Sequence, residues 1–304
     1  IRFFTLLCIL FTSLLWFSKP HQSYLLYTLV IVGIANLFYE LSLIFYNSLL
    51  KDISTDKNLG RSSGFGFALG YIGGIVILFI SIKLFIDTNY PPFGLVKEQS
   101  QNIRAIALLV SIWFLIFSIP FLFLIIKESK KKIKKNTSSN FEDLKKLIWQ
   151  KKISVLGKFL IARMLYADGL NAIIVMGGIF AVGVFSLEIK DLLKLSILMN
   201  TTAFIGAFFG GIANDKYGSK AVIIFSLVGL ILSSVAILFT FSVSIFFFLA
   251  AINGLFIGPI QSASRVVITS ILNKNNQGKG FGLFATSGKL TSFIGPLLVS
   301  TVTF

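Results

Sequence analysis

Cysteine and histidine are almost absent: Cys8 and His21 are the single examples in 304 residues. One cysteine excludes an intrachain disulfide and a cysteine metal cluster, and a lone histidine in a loop gives zinc or haem too few ligands. No metal site and no cofactor is expected. Charge is also scarce. Only 13% of residues are charged, and 12 acidic residues face 28 basic ones. A soluble domain carries about 25% charge. There is no G-x-x-x-x-G-K-[ST] loop, so nothing points to ATP. The lack of His/Cys clusters or a usable nucleophile–base pair argues against an enzyme. At the start, Arg2 leads into an apolar run without a cleavage-site pattern, so no signal peptide is expected. The other end stops inside an apolar run, and both ends read as those of a fragment.

What is present is hydrophobic: 55% of the residues, with a mean hydropathy of +0.87. A bilayer needs about 20 apolar residues per helix, and nine such runs can be drawn. They cover roughly residues 2–17, 24–50, 62–86, 103–126, 153–185, 192–213, 221–241, 245–272 and 280–304. The expected class is an all-α polytopic membrane protein with the lipid bilayer as its solvent. The long polar segment Lys127–Lys152 divides it. Ten lysines there outnumber Glu128, Glu142 and Asp143, which places the segment on the cytoplasmic side. The loops this puts inside carry Lys51, Lys57, Arg61, Lys216, Lys220, Lys274 and Lys279; the opposite loops carry Lys19, Lys97, Lys190 and little else. The net charge of +16 therefore reflects topology, and no nucleic-acid partner is expected. The chain divides into a membrane half at 1–126, a basic cytoplasmic linker at 127–152 and a second half at 153–304. Within the linker, FEDLKKLIW reads either as a solvated charged stretch or as a short interfacial helix.

Intramembrane polar residues are functional-site candidates by default. On the second span Asn36, Tyr39, Glu40, Tyr46 and Asn47 share a helical stripe. On the fifth, Arg163, Asp168 and Asn171 lie within roughly 140° of arc. On the eighth, Asn253, Gln261, Ser264 and Arg265 share one side. Glu40 and Asp168 both lie about 15–17 Å deep, near the midplane. Two acids and an arginine on one cavity could bind a zwitterion or carry protons; the bland alternative is a structural ion pair. The preferred assignment makes Asp168 the proton-linked acid and pairs Glu40 with Arg163 or a substrate amine. Gly66, Gly70, Gly73 and Gly74 on the third span suit close helix packing. An internal repeat matches Gly64–Phe67 to Gly280–Leu283, each opening a span after a basic loop.

The loop Gly211-Ile-Ala-Asn-Asp215-Lys216-Tyr-Gly218-Ser219-Lys220 resembles the G-x-x-x-D-[RK]-x-G-[RK]-[RK] loop between the second and third helices of each half of major facilitator transporters. Ser219 departs from the usual basic residue. The resemblance implies a gating role for Gly211, Asp215, Lys216, Gly218 and Lys220. It also makes the nine spans helices three to eleven of twelve, and the polar-rich ones helices four, seven and ten, which line the central cavity in that fold. FYNSLLKDI, GRSSGFGFALGYIGG, LYADGLNAI and QSASR are similar to the autophagy-related vacuolar effluxer family and its bacterial relatives. That resemblance implies a secondary transporter working by alternating access, an exporter of amino acids or other small metabolites, monomeric and in a bacterial inner membrane. The competing reading is a non-transporting membrane receptor or scaffold on the same fold.

Overall fold

A computed structural model describes residues 1–128, 141–295 and 297 of the chain. Its named elements are all helical; the one extended contact among the described residues is an isolated bridge between Trp149 and Ile153. Helices satisfy their own backbone groups, which lipid cannot do for them. In order they are α1 (Arg2–Leu14), α2 (Leu25–Ser48), α3 (Leu50–Ile53), α4 (Leu59–Ser81), α5 (Gln101–Glu128), α6 (Phe141–Ile148), α7 (Val155–Phe185), α8 (Ile189–Tyr217), α9 (Ser219–Leu238), α10 (Val243–Ile271) and α11 (Gln277–Leu290). Among the described residues seven helices are long and apolar enough to cross a membrane. The first expected span is shorter: α1 continues through one 3-10 turn to Phe17. The ninth is interrupted, because α11 stops at Leu290 and residues 291–293 are not helical before the helix resumes at Ile294. The lysine-rich stretch 129–140 of the linker lies outside the described residues.

Two compact units emerge. The first contains Ile1–Tyr46 and Val76–Ser139. Aromatic stacking holds it: the Phe4 ring lies 6.2 Å from that of Phe38 and 5.9 Å from that of Phe45. Thr5 and Ser42, both buried, share a hydroxyl–hydroxyl bond of 2.9 Å between α1 and α2. Arg104 at the start of α5 donates to the Trp16 carbonyl at 2.7 Å and lies over the Trp16 ring, a cation–π contact.

The second unit contains Asn47–Ile75 and Asn140–Phe304. It therefore takes in about the first three-quarters of α4 as well as everything from Asn140 on. Its densest packing joins α8 to α10 through small residues. A Cβ on Gly254 would meet Met199, one on Gly258 would meet Ala203 and Ala207, and one on Gly210 would meet Pro259. Small residues let membrane helices approach until backbone touches backbone.

The α4 glycines differ from expectation. Close approach falls at Gly60 and Gly64, whose Cβ positions are occupied by Asp215, Gly211, Asn214 and Ala207 of α8. Gly70 is exposed with nothing within 4 Å, so it is not a packing glycine. Gly74 makes ordinary contact with Asn200, and Gly66 and Gly73 are half-buried. The two helices touch backbone to backbone near the start of α4 and meet again through the Asn200 side chain at Gly74.

Candidate functional site: a clamp on the first turn of α4

The start of α4 is capped from outside. The Ser62 amide donates to the Asn58 carbonyl, which makes Asn58 the residue just before the helix. An asparagine there usually accepts from the second or third helical amide. The Asn58 side chain is instead turned back to the amide and hydroxyl of Thr55. Those amides, on Gly60 and Arg61, donate to Asp215 at 2.6 and 3.1 Å. The Arg61 Nε donates to the same carboxylate at 2.9 Å. The Asp215 side chain is 9% exposed against 64% for Arg61, so the backbone bonds contribute more than the solvent-screened ion pair. A negative group at a helix N-terminus is also favoured by the helix dipole. Gly60 is required here because a Cβ would stand 2.5 Å from Asp215 Oδ1.

The segment expected to act as a gating loop is mostly helical. α8 runs through Asp215 and Lys216 to Tyr217, and α9 starts at Ser219. Gly218 alone breaks the chain, with φ of 83°, a conformation glycine adopts without strain. Ser219, which replaces the usual basic residue, donates to Asn214 at 2.9 Å and ties the two helix ends together. Lys216 and Lys220 are exposed, with Lys216 over the Tyr217 ring.

One turn further along α4 the clamp is buried. Arg265 of α10 is 5% exposed. It donates to the Ser63 hydroxyl at 2.9 Å, the Ser63 carbonyl at 2.8 Å and Asn47 Oδ1 at 3.2 Å. The Ser63 hydroxyl in turn donates to the Ser262 carbonyl at 2.8 Å. The guanidinium lies over the Phe67 ring. Beyond the helix end, Lys274 pairs with Asp52 of α3 at 2.9 Å. Further into the bundle Tyr71 donates to Gln261 at 3.3 Å. Asp215, Arg265, Gln261 and Asn47 thus belong to one set of contacts.

The other candidates are placed elsewhere. Asn253 is buried and accepts from Ser233 and Ser234, tying α10 to α9. Arg163 lies flat over the Phe284 ring, 3.4 Å from its centroid, and donates to the Phe284 carbonyl on α11. Asp168 accepts from the Gly295 amide at 3.2 Å, where α11 resumes after its break. Thr291, in that break, donates to the Met164 carbonyl of α7. Asn171 is half-buried on α7. On α2, in the first unit, Asn36 is exposed and Glu40 half-buried, and Tyr39 packs edge-on against Phe114. Tyr46 makes the same kind of contact with Phe121. Sequence reasoning passed over Ser63 and Tyr166, the latter bonded to Ser264 at 2.7 Å. The GRSS run just before the α4 glycines was the available signal for Ser63.

Comparison with known proteins places the chain in a family. The family model for Atg22-like vacuole effluxers matches residues 51–303. The chain belongs to this family. The Atg22-like chain is 26% identical over 281 residues to an MFS-type transporter of Bacillus subtilis strain 168, YxiO. It is 25% identical over 279 residues to autophagy-related protein 22 of Vanderwaltozyma polyspora. These alignments take in 87% and 79% of the chain but 63% and 51% of the relatives. The chain therefore spans about half to two-thirds of their length. Among solved structures, the human organic anion transporter MFSD10 superposes with a TM-score of 0.68 and 15% identity, over 98% of this chain and 70% of that one. The fold is that of the major facilitator transporters, and the chain is a multi-pass integral membrane protein.

Proposed function

We propose that this Atg22-like chain forms most of a secondary transporter that moves a small solute by alternating access. The clamp on α4 is its gate on the linker side. The carrying observation is the double grip on one helix turn. Asp215 and Arg265, both after the linker, hold Gly60, Arg61 and Ser63, all before it. A gate of this kind must release for the solute path to open on that side, and polar contacts can be remade without repacking a core.

The solute class we infer is amino acids or related metabolites, moved outward, because the family is named for efflux and the chain lacks an ATP-binding loop. The chain acts as a monomer in a bacterial inner membrane with residues 127–152 in the cytoplasm; the lysine excess of the linker supports that orientation. The gate joins the halves 1–126 and 153–304. Asp168 is the acid we assign to proton coupling. Its carboxylate touches the point where α11 restarts, so a change in its charge bears directly on a helix discontinuity.

The test is solute flux in proteoliposomes made with the complete protein, over a panel of amino acids and small organic acids. Saturable flux of at least one supports transport. Correctly folded protein that moves none of them would favour the receptor or scaffold.

A further inference from the structure

α6 lies outside the α4 clamp and packs against the start of α7. Leu144, Leu147 and Ile148 turn away from solvent, while Glu142, Lys145, Lys146 and Trp149 are exposed. The inner face lies against the first turn of α7, where a Cβ on Gly157 would stand 2.6 Å from the Ile148 carbonyl. Ser154 caps α7 by accepting from the Gly157 amide at 3.0 Å, and its hydroxyl donates back to the Leu147 carbonyl at 2.6 Å. Lys279, at the start of α11, pairs with Asp143 at 3.1 Å. These bonds fix the outward face of α6 relative to the membrane helix that follows.

The outward face is basic and carries a tryptophan. Lys145, Lys146, Lys151 and Lys152 are exposed, and Trp149 is 52% exposed. Of the two acids on α6, Glu142 is exposed and Asp143, its side chain 45% exposed, is paired with Lys279. α7 then enters the membrane at once. Val155, Lys158, Ala162 and Leu165 form an exposed stripe along it, with Val155 at 69% and Leu165 at 74%. Lys158 therefore sits on an exposed apolar stripe one turn into the span, where a lysine extends its ammonium back to the headgroups. Tryptophan prefers the same level.

We propose that the α6–α7 junction is a binding site for the headgroups of anionic phospholipids in the leaflet that α7 enters. Lys145, Lys146, Lys151, Lys152 and Lys158 supply the charge, and Trp149 marks the interface. The docking of α6 holds Lys145 and Lys146, and the hydrogen-bonded turn that joins it to α7 holds Lys151 and Lys152, so the cluster meets phosphates without first having to be ordered. Juxtamembrane lysines gain up to about 1 kcal/mol each from an anionic surface.

The complete protein, with Trp149 as its sole tryptophan, is placed in nanodiscs of zwitterionic lipid containing a minority of phosphatidylglycerol. Bromine is carried on either the anionic or the zwitterionic species at equal mole fraction. The expected result is that brominated phosphatidylglycerol quenches Trp149 roughly twofold more than brominated phosphatidylcholine. High salt should remove the difference in the unmutated lysine background, and so should replacing Lys145, Lys146, Lys151 and Lys152 by glutamine. Equal quenching by both lipids at low salt would overturn the proposal and leave an acidic protein segment as the partner to seek. A preference that survives both high salt and the glutamine substitutions would overturn it equally.

Discussion

Asp215 caps a helix that is not its own. Its two amide bonds are charge-assisted, the one from Gly60 part-buried and the one from Arg61 exposed, and a hydrogen bond to a charged group contributes about 1.5–3 kcal/mol, the lower end applying where solvent reaches it. Asp215→Ala should therefore shift the gate toward open by roughly tenfold or more. Asp215→Asn keeps one accepting oxygen and should shift it less. The readout is the alkylation rate of a cysteine replacing buried Ser262, with Cys8 changed to serine. Equal rates in all three backgrounds would reduce Asp215 to a structural helix cap with no part in gating. At Asp168 the logic differs, because an asparagine can still accept from the Gly295 amide while losing its charge. Asp168→Asn should abolish proton-driven accumulation in proteoliposomes but spare solute exchange. Accumulation like that of the unmutated protein would remove Asp168 from coupling.

Helices meet where their surfaces are small. The α8–α10 contact leaves no room for a side chain at Gly258, whose Cβ would overlap Ala203 and Ala207. Gly258→Leu should lower stability by about 1–3 kcal/mol or prevent folding, whereas Gly70→Leu should leave it unchanged. Thermal unfolding of detergent-purified protein, followed by size-exclusion chromatography, distinguishes them. The same pair shows what the sequence could reveal. The spans from α2 to α10 were legible because an apolar run of sufficient length has one low-energy solution in lipid. Asp215 was legible through its loop pattern. Glycine roles were not, since Gly64 and Gly70 look alike until the crossing point with α8 is known. Nor were polar roles. Asn253 and Arg265 lie on one side of α10, yet the former bonds to α9 and the latter to α4, across 202 residues from Arg265 to Ser63. The break in α11 was also missed, because Thr291, Ser292 and Phe293 do not interrupt an apolar run strongly.

For the molecule as a whole, the central claim is that the contacts among Asp52, Asn47, Gly60, Arg61 and Ser63 on one side and Asp215, Arg265 and Lys274 on the other must part for solute to pass. The Lys274–Asp52 pair offers a lock at exposed positions, with side chains 65% and 50% exposed, so cysteines there disturb packing little. The decisive measurement is solute flux through proteoliposomes of the complete protein carrying Asp52→Cys and Lys274→Cys without other reactive cysteines. The two positions are bridged by a short thiol-reactive linker that a reductant cleaves. The account predicts that flux stops when the bridge forms and returns when it is cleaved. Flux that continues undiminished across the intact bridge would contradict it.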